Sequence, residues 1–268
     1  MAAALGDSPW RWRPQPADRY EGSLDGPLDP AGESAWPGSV WEVGTRWALA
    51  AQPGSGAARA EAERLEWLGA RVGCPEVVML DGNWLVITAP IGAGGDHPER
   101  QPRPDDLPAA IGSALRQVHQ LPAEACPFDR GWSVLVAEIE AGVAAGWLHP
   151  DRLPPPYDRY QPDQLVELVR TTRPVTEDVV VGHGRPVVAN LFFDRGTLSG
   201  VTGLWRLGRA DRHLDLAIVY RSLQLNYGPE AVFGFIEGYG LDPDLTRLDY
   251  YIMIDVLVSA LDAHGIEP

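Results

Sequence analysis

Lysine is absent: all 22 basic side chains among the 268 residues are arginine. That closes every mechanism built on a lysine, from Schiff-base chemistry to a phosphate-gripping ammonium. The bias, with abundant Ala, Gly and Pro, is that of a GC-rich genome. Cysteine is nearly absent. Cys74 and Cys126 give neither a disulfide framework nor a metal-ligand cluster. No apolar run approaches the roughly 20 residues of a membrane helix. The start, MAAALGDSPWRWRPQP, has neither a basic n-region nor an apolar h-region, so the expected location is the cytoplasm. Positive charge is in deficit. With 37 acids against 22 bases the net charge is −15, which disfavours nucleic acid and anionic membranes as partners. No Gly-x-Ser-x-Gly elbow is present, so a serine hydrolase is not indicated.

What the chain has is an ordinary globular composition, 45% hydrophobic and 9% aromatic, with ten tryptophans. SVWEVGTRWALAA (39–51) alternates as two strands about Gly44-Thr45. AARAEAERLEWLGAR (57–71) places Ala58, Ala62, Leu65, Leu68 and Val72 on one helical face. Two further strands flank Asp81-Gly82-Asn83, a hairpin turn sequence. After a polar, Gly/Pro-rich connection over 92–107, helices are expected at 106–120, 132–147, 162–173, 212–226, 229–239 and 244–263. Short strands interrupt them near 179–182, 191–194 and 198–204. The expectation is an α+β protein in two lobes. Residues 1–88 form a β-rich N-lobe with an irregular lead-in over 1–35, and 89–268 a mainly helical C-lobe.

The segment 178–217, DVVVGHGRPVVANLFFDRGTLSGVTGLWRLGRADRHLDLA, carries the most information. Together with EAERLEWL (61–68), ALRQVHQLPAEACPFD (114–129), RSLQLNYG (221–228) and FIEGYGLD (235–242), it resembles the aminoglycoside phosphotransferases, the 3'-kinase branch in particular. The resemblance implies a bilobal protein-kinase-like fold, a nucleotide cleft between the lobes and an acidic substrate site on the C-lobe. The family pattern has His-Gly-Asp in its catalytic loop, the Asp serving as base; here the loop reads His183-Gly184-Arg185. The metal-binding Asn of the pattern is kept as Asn190, whereas the metal-binding Asp is replaced by Gly203. The nucleotide lysine, due near Ala50 or Ala51, is missing, and its partner glutamate is kept as Glu61. Ala35-Trp36-Pro37-Gly38 stands at the phosphate-facing turn. The resemblance also places Glu138, Glu140, Asp242, Asp244 and Asp255 where the family grips polyamine substrates.

Losing base, metal ligand and lysine together leads to the expectation of a catalytically degenerate member, a pseudokinase with no cofactor and no bound metal. Such a protein is expected to sequester an antibiotic, aromatic and even DNA-alkylating, in the manner of azinomycin-resistance-type drug-binding proteins. The partner is then a small-molecule antibiotic or secondary metabolite. Trp36, Trp41, Trp47, Arg185, Trp205 and Arg206 are the candidate ligand-binding residues. Two alternatives are a repurposed biosynthetic enzyme in which Arg185, His183 and Arg206 polarise a carbonyl, and residual nucleotide binding.

Overall fold

The computed structural model describes residues 11–12, 36–69, 71–96 and 107–264. The lead-in expected over 1–35 lies, apart from a two-residue strand, outside these residues. Five antiparallel strands make the first sheet, in the order β1-β2-β3-β5-β4: β1 (Arg11–Trp12), β2 (Gly38–Val43), β3 (Arg46–Ala51), β4 (Val77–Asp81) and β5 (Trp84–Thr88). The Gly44-Thr45 and Gly82-Asn83 turns fall as the sequence predicts, with Gly44 and Gly82 at positive φ. Helix α1 (Ala57–Gly69) buries Ala58, Ala62, Leu65 and Leu68 beneath this sheet, the face read from its periodicity.

Six further helices build the second lobe: α2 (Leu107–His119), α3 (Trp132–Ala144), α4 (Pro162–Thr171), α5 (Arg212–Tyr227), α6 (Ala231–Tyr239) and α7 (Leu245–His264). Helix α5 is buried on every side from His213 to Val219, which fits its lack of an apolar stripe and makes it the spine of the lobe. Asp211 caps its start, accepting from the His213 amide at 2.9 Å. Two small antiparallel sheets lie against this helical layer. One pairs β7 (Val179–Gly182) with β10 (Gly208–Asp211), and the other orders β6 (Ala93–Gly94), β8 (Leu191–Asp194) and β9 (Thr197–Val201) as β6-β8-β9. The fold is the α+β, bilobal, kinase-like architecture that the sequence predicts. The strand expected over 198–204 ends at Val201, and Leu204 opens a 3-10 turn through Arg206. Gly203, left-handed at φ 71°, breaks the ladder there. One hydrophobic core runs from Leu49, Leu85 and Ile87 of the sheet through α1 into α2, α5 and α7.

Candidate functional site

The loop from His183 to Asn190 is held from beneath by Asp215 on α5. Its carboxylate accepts the backbone N–H of His183 at 2.6 Å and of Gly184 at 2.9 Å, and it meets His119 Nε2 at 3.0 Å. His119 Nδ1 in turn reaches the Tyr239 hydroxyl at 2.8 Å. Burial alone would raise the Asp215 pKa. The His119 contact and the loop amide outweigh it and hold the carboxyl below its ordinary range. Nothing in the sequence by itself singles out Asp215, His119 and Tyr239. The available signal was an acid in an otherwise apolar helical stretch, where burial demands a partner.

His183 is fully buried, and its Nδ1 accepts the Arg185 amide at 3.3 Å. Its Nε2 has no hydrogen-bond partner. Burial lowers its pKa to about 4, so it is neutral and architectural at physiological pH. Gly184 cannot be replaced cheaply. At φ 83° its missing Cβ would stand 2.1 Å from the Arg206 carbonyl oxygen. Arg185 is 7% exposed. Its Nη1 donates to Ser259 Oγ at 2.9 Å and lies 3.7 Å from Asp255 Oδ1, both on α7. Arg221 of α5 takes the other Asp255 oxygen.

Asn190 and Gly203 form a closed pair. The Asn190 amide nitrogen donates to the Arg185 carbonyl at 2.9 Å, and its oxygen accepts from Thr202 Oγ1 at 3.3 Å. A Cβ on Gly203 would fall 2.2 Å from that same amide nitrogen. Where a magnesium ion would need a carboxylate beside Asn190, Gly203 brings none, and any side chain there would have to displace the Asn190 amide and take up a left-handed φ of 71°. Among the described residues no three His, Cys, Asp or Glu side chains group as a metal site. These residues do not fit a divalent cation.

Glu61 is fully buried, and it is not solvated, as an unpaired helix carboxylate would be. It accepts the Gly203 amide at 2.9 Å across 142 residues of sequence, so the N-lobe helix carries a carboxyl group straight to the C-lobe loop. Burial raises its pKa to about 7 against the lowering pull of the Gly203, Trp205 and Leu204 amides. Arg64, one turn on, donates Nε to the Leu207 carbonyl at 2.8 Å and stacks 4.3 Å over Phe128. Ala51, one of the two positions for a nucleotide lysine, faces the core beside α1.

The four candidate tryptophans do not gather around one cleft. Trp36 is buried in the main core, its Nε1 donating to the Ala50 carbonyl at 3.2 Å. Trp41 points to the opposite face of the sheet, packing on Val43, Ala48 and Val86 and stacking on Trp84 at 5.3 Å. Trp47 alternates to the inner face and meets Phe192 of the C-lobe edge-on at 5.7 Å. Trp205 lies under the Arg206 guanidinium at 4.2 Å. Arg206 forks onto Glu138 at 2.6 and 3.2 Å, and Arg130 meets the same carboxylate at 2.6 Å. Trp47 and Trp205 therefore flank the junction of the lobes, and Trp36 and Trp41 serve the sheet. Glu140 sits on α3 in a surface pair with Arg170. Asp242 and Asp244 line a separate cavity of about 430 Å³ with Arg212, His213 and Arg247. The thiol of Cys74 is pushed up to about 12 by burial, as expected of an inert cysteine.

Residues 33–251 match the model of the phosphotransferase enzyme family. The chain belongs to the phosphotransferase enzyme family. A Streptomyces fradiae aminoglycoside 3'-phosphotransferase is 36% identical over 209 residues, 73% of this chain and 77% of that protein. The Streptomyces griseus streptomycin 3''-kinase is 35% identical over 252 residues, 85% of this chain and 90% of that one. Among solved structures, an aminoglycoside-3'-phosphotransferase of type VIII superposes with a TM-score of 0.73 at 31% identity, covering 90% of this chain and 95% of the other. An aminoglycoside phosphotransferase from Streptomyces rimosus, in complex with ADP and streptomycin, gives 0.68 at 26% identity, covering 91% and 96%.

These relatives correct the expectation of a non-enzymatic sequestering pseudokinase, and with it the repurposed-enzyme alternative. The phosphotransferase relatives are named for transferring phosphate, and they give no support to the degenerate-member or azinomycin-type likeness. The physical error lay in equating missing groups with missing chemistry. Phosphoryl transfer passes through a loose transition state in which positioning and charge do most of the work. A general base contributes only about 10²–10⁴-fold, so an Arg in its place does not by itself remove a chain from an enzyme family.

Proposed function

We propose that this phosphotransferase moves a phosphoryl group from a nucleoside triphosphate to a hydroxyl of a small-molecule antibiotic in the cytoplasm. In this reading a P–O bond to the nucleoside diphosphate breaks and a new one forms to the acceptor oxygen. The hydroxyl proton is released to solvent. The observation that carries the reading is family membership over residues 33–251, with relatives of 35–36% identity named as kinases of aminoglycosides and streptomycin. Residues 1–88 and 89–268 are the two lobes, and the loop 183–190 faces the acceptor. The Asp215 clasp supports it by fixing that loop rigidly, which is what transfer by positioning requires. Arg185 supplies fixed positive charge beside the acceptor in place of a base. No step is assigned to a metal ion, since Asn190 has no carboxylate beside it at Gly203 to share one.

The test is incubation with ATP and a panel of hydroxylated antibiotics, followed by mass spectrometry of the small molecules and quantification of ADP. One phosphorylated product with matching ADP is expected, at a turnover lower by at least the factor of about 10²–10⁴ that the missing base alone would cost. Unmodified antibiotics with no ADP above a boiled-protein control would overturn the reading.

A further inference from the structure

The charges around Arg185 have the wrong sign for a polycation. Arg185, nine-tenths buried, brings a full positive charge to it, and Arg221 brings a second. The carboxylate facing both is Asp255, and its close partner is Arg221. Arg185 stands 3.7 Å from Asp255, beyond hydrogen-bond reach, and its one hydrogen-bond acceptor among the described side chains is the Ser259 hydroxyl. That hydroxyl lies 3.4 Å from Asp255 Oδ1, so part of its own capacity is already turned to the acid. Nη2 and Nε of Arg185 donate to no described group, yet they are not sealed off from solvent. A guanidinium holds its donors in a planar fork that matches two oxygens of a carboxylate or phosphate. Arg206 presents no such fork. Its two terminal nitrogens are already spent on Glu138, and its face is covered by Trp205.

We infer that Arg185 forms an anion subsite, so that the acceptor substrate carries a carboxylate or phosphate group beside the hydroxyl it presents. The inference rests on the phosphotransferase reading for the word acceptor. The binding it describes needs no turnover, and the two can fail separately. Asp255, where the resemblance places a polyamine contact, is here bonded to Arg221 with Arg185 3.7 Å away, which turns the substrate preference toward anionic molecules.

The probes are three sugars of one size and different charge: glucuronate, glucose and glucosamine. Each is titrated against intrinsic tryptophan fluorescence of the full chain without ATP. Glucuronate is expected to bind at least tenfold more tightly than glucosamine. Arg185→Gln should weaken glucuronate at least tenfold, Arg185→Lys less, and Asp255→Asn should strengthen it several-fold by removing the competing acid. Loss and gain in the two variants cannot both come from misfolding, and urea midpoints close to wild type exclude it for each. Glucosamine binding as well as glucuronate, an unchanged Arg185→Gln variant, or no saturable signal would each overturn the inference. So would competition between ATP and glucuronate, because the anion held by Arg185 would then be the donor's phosphate.

Discussion

Glu61 and His183 are both fully buried, and their protonation is pushed in opposite directions by the same desolvation. For Glu61 the folded pKa, about 7, exceeds the ordinary 4.5, so between these values the folded chain holds more protons than the unfolded one. Stability from this group therefore falls as pH rises through that window. For His183 the folded value, about 4, is below the ordinary 6.5; the unfolded chain holds more protons, and stability rises with pH. Between pH 5 and 6.5 the two slopes oppose each other, each amounting to about 2 kcal/mol over the interval. Urea unfolding of the wild type should thus show little net slope from this pair. Glu61→Gln should become more stable by about 2 kcal/mol between pH 5 and 6.5, and His183→Gln less stable by a similar amount. Any unpaired amide proton in either variant shifts the whole curve without tilting it. If both variants keep the wild-type slope, the burial argument is wrong for both residues.

Helix α1 shows how much of an element can be read from its letters. Its extent and inner face follow from Ala58, Ala62, Leu65 and Leu68 at helical spacing. The errand of its polar residues does not. Glu61 and Arg64 look like two ordinary charges on a solvated helix, yet one ends on the Gly203 amide and the other on the Leu207 carbonyl. Contacts made across more than 140 residues have no local signature, which is why the family resemblance found the loop positions and missed this clasp. The same limit applied to the tryptophans. Taken together they read as ligand-binding residues of one cleft, whereas strand alternation sends Trp41 and Trp47 to opposite faces of one sheet. The hairpins and the seven helices among the described residues are legible because turn chemistry and periodicity are local. Arg64→Ala removes both the Leu207 hydrogen bond and the stacking on Phe128. A loss of about 1–3 kcal/mol is expected in urea unfolding, against a negligible loss for exposed Arg59→Ala. Equal effects of the two substitutions would show that α1 is held by its apolar face alone.

Across the whole molecule the lobes share one core, and the clasp adds polar ties to it. Trp47 on Phe192, Glu61 on the 203–205 loop and Arg64 on Leu207 all join sheet-lobe to helix-lobe. Calorimetry should therefore record one transition, with the van't Hoff enthalpy equal to the calorimetric one. Two resolved peaks would mean that the lobes melt independently.

The clasp also bears on cutting the chain in two. A break between residues 88 and 107 would leave a sheet-and-α1 fragment holding a buried carboxylate with nothing to receive it. The complementary fragment would keep a loop whose amides at 203–205 lack their acceptor. Neither piece is complete by itself, and each carries the polar groups the other needs. Fragments made separately would be poorly soluble; made together, they have the ingredients of a split protein that signals its own reassembly.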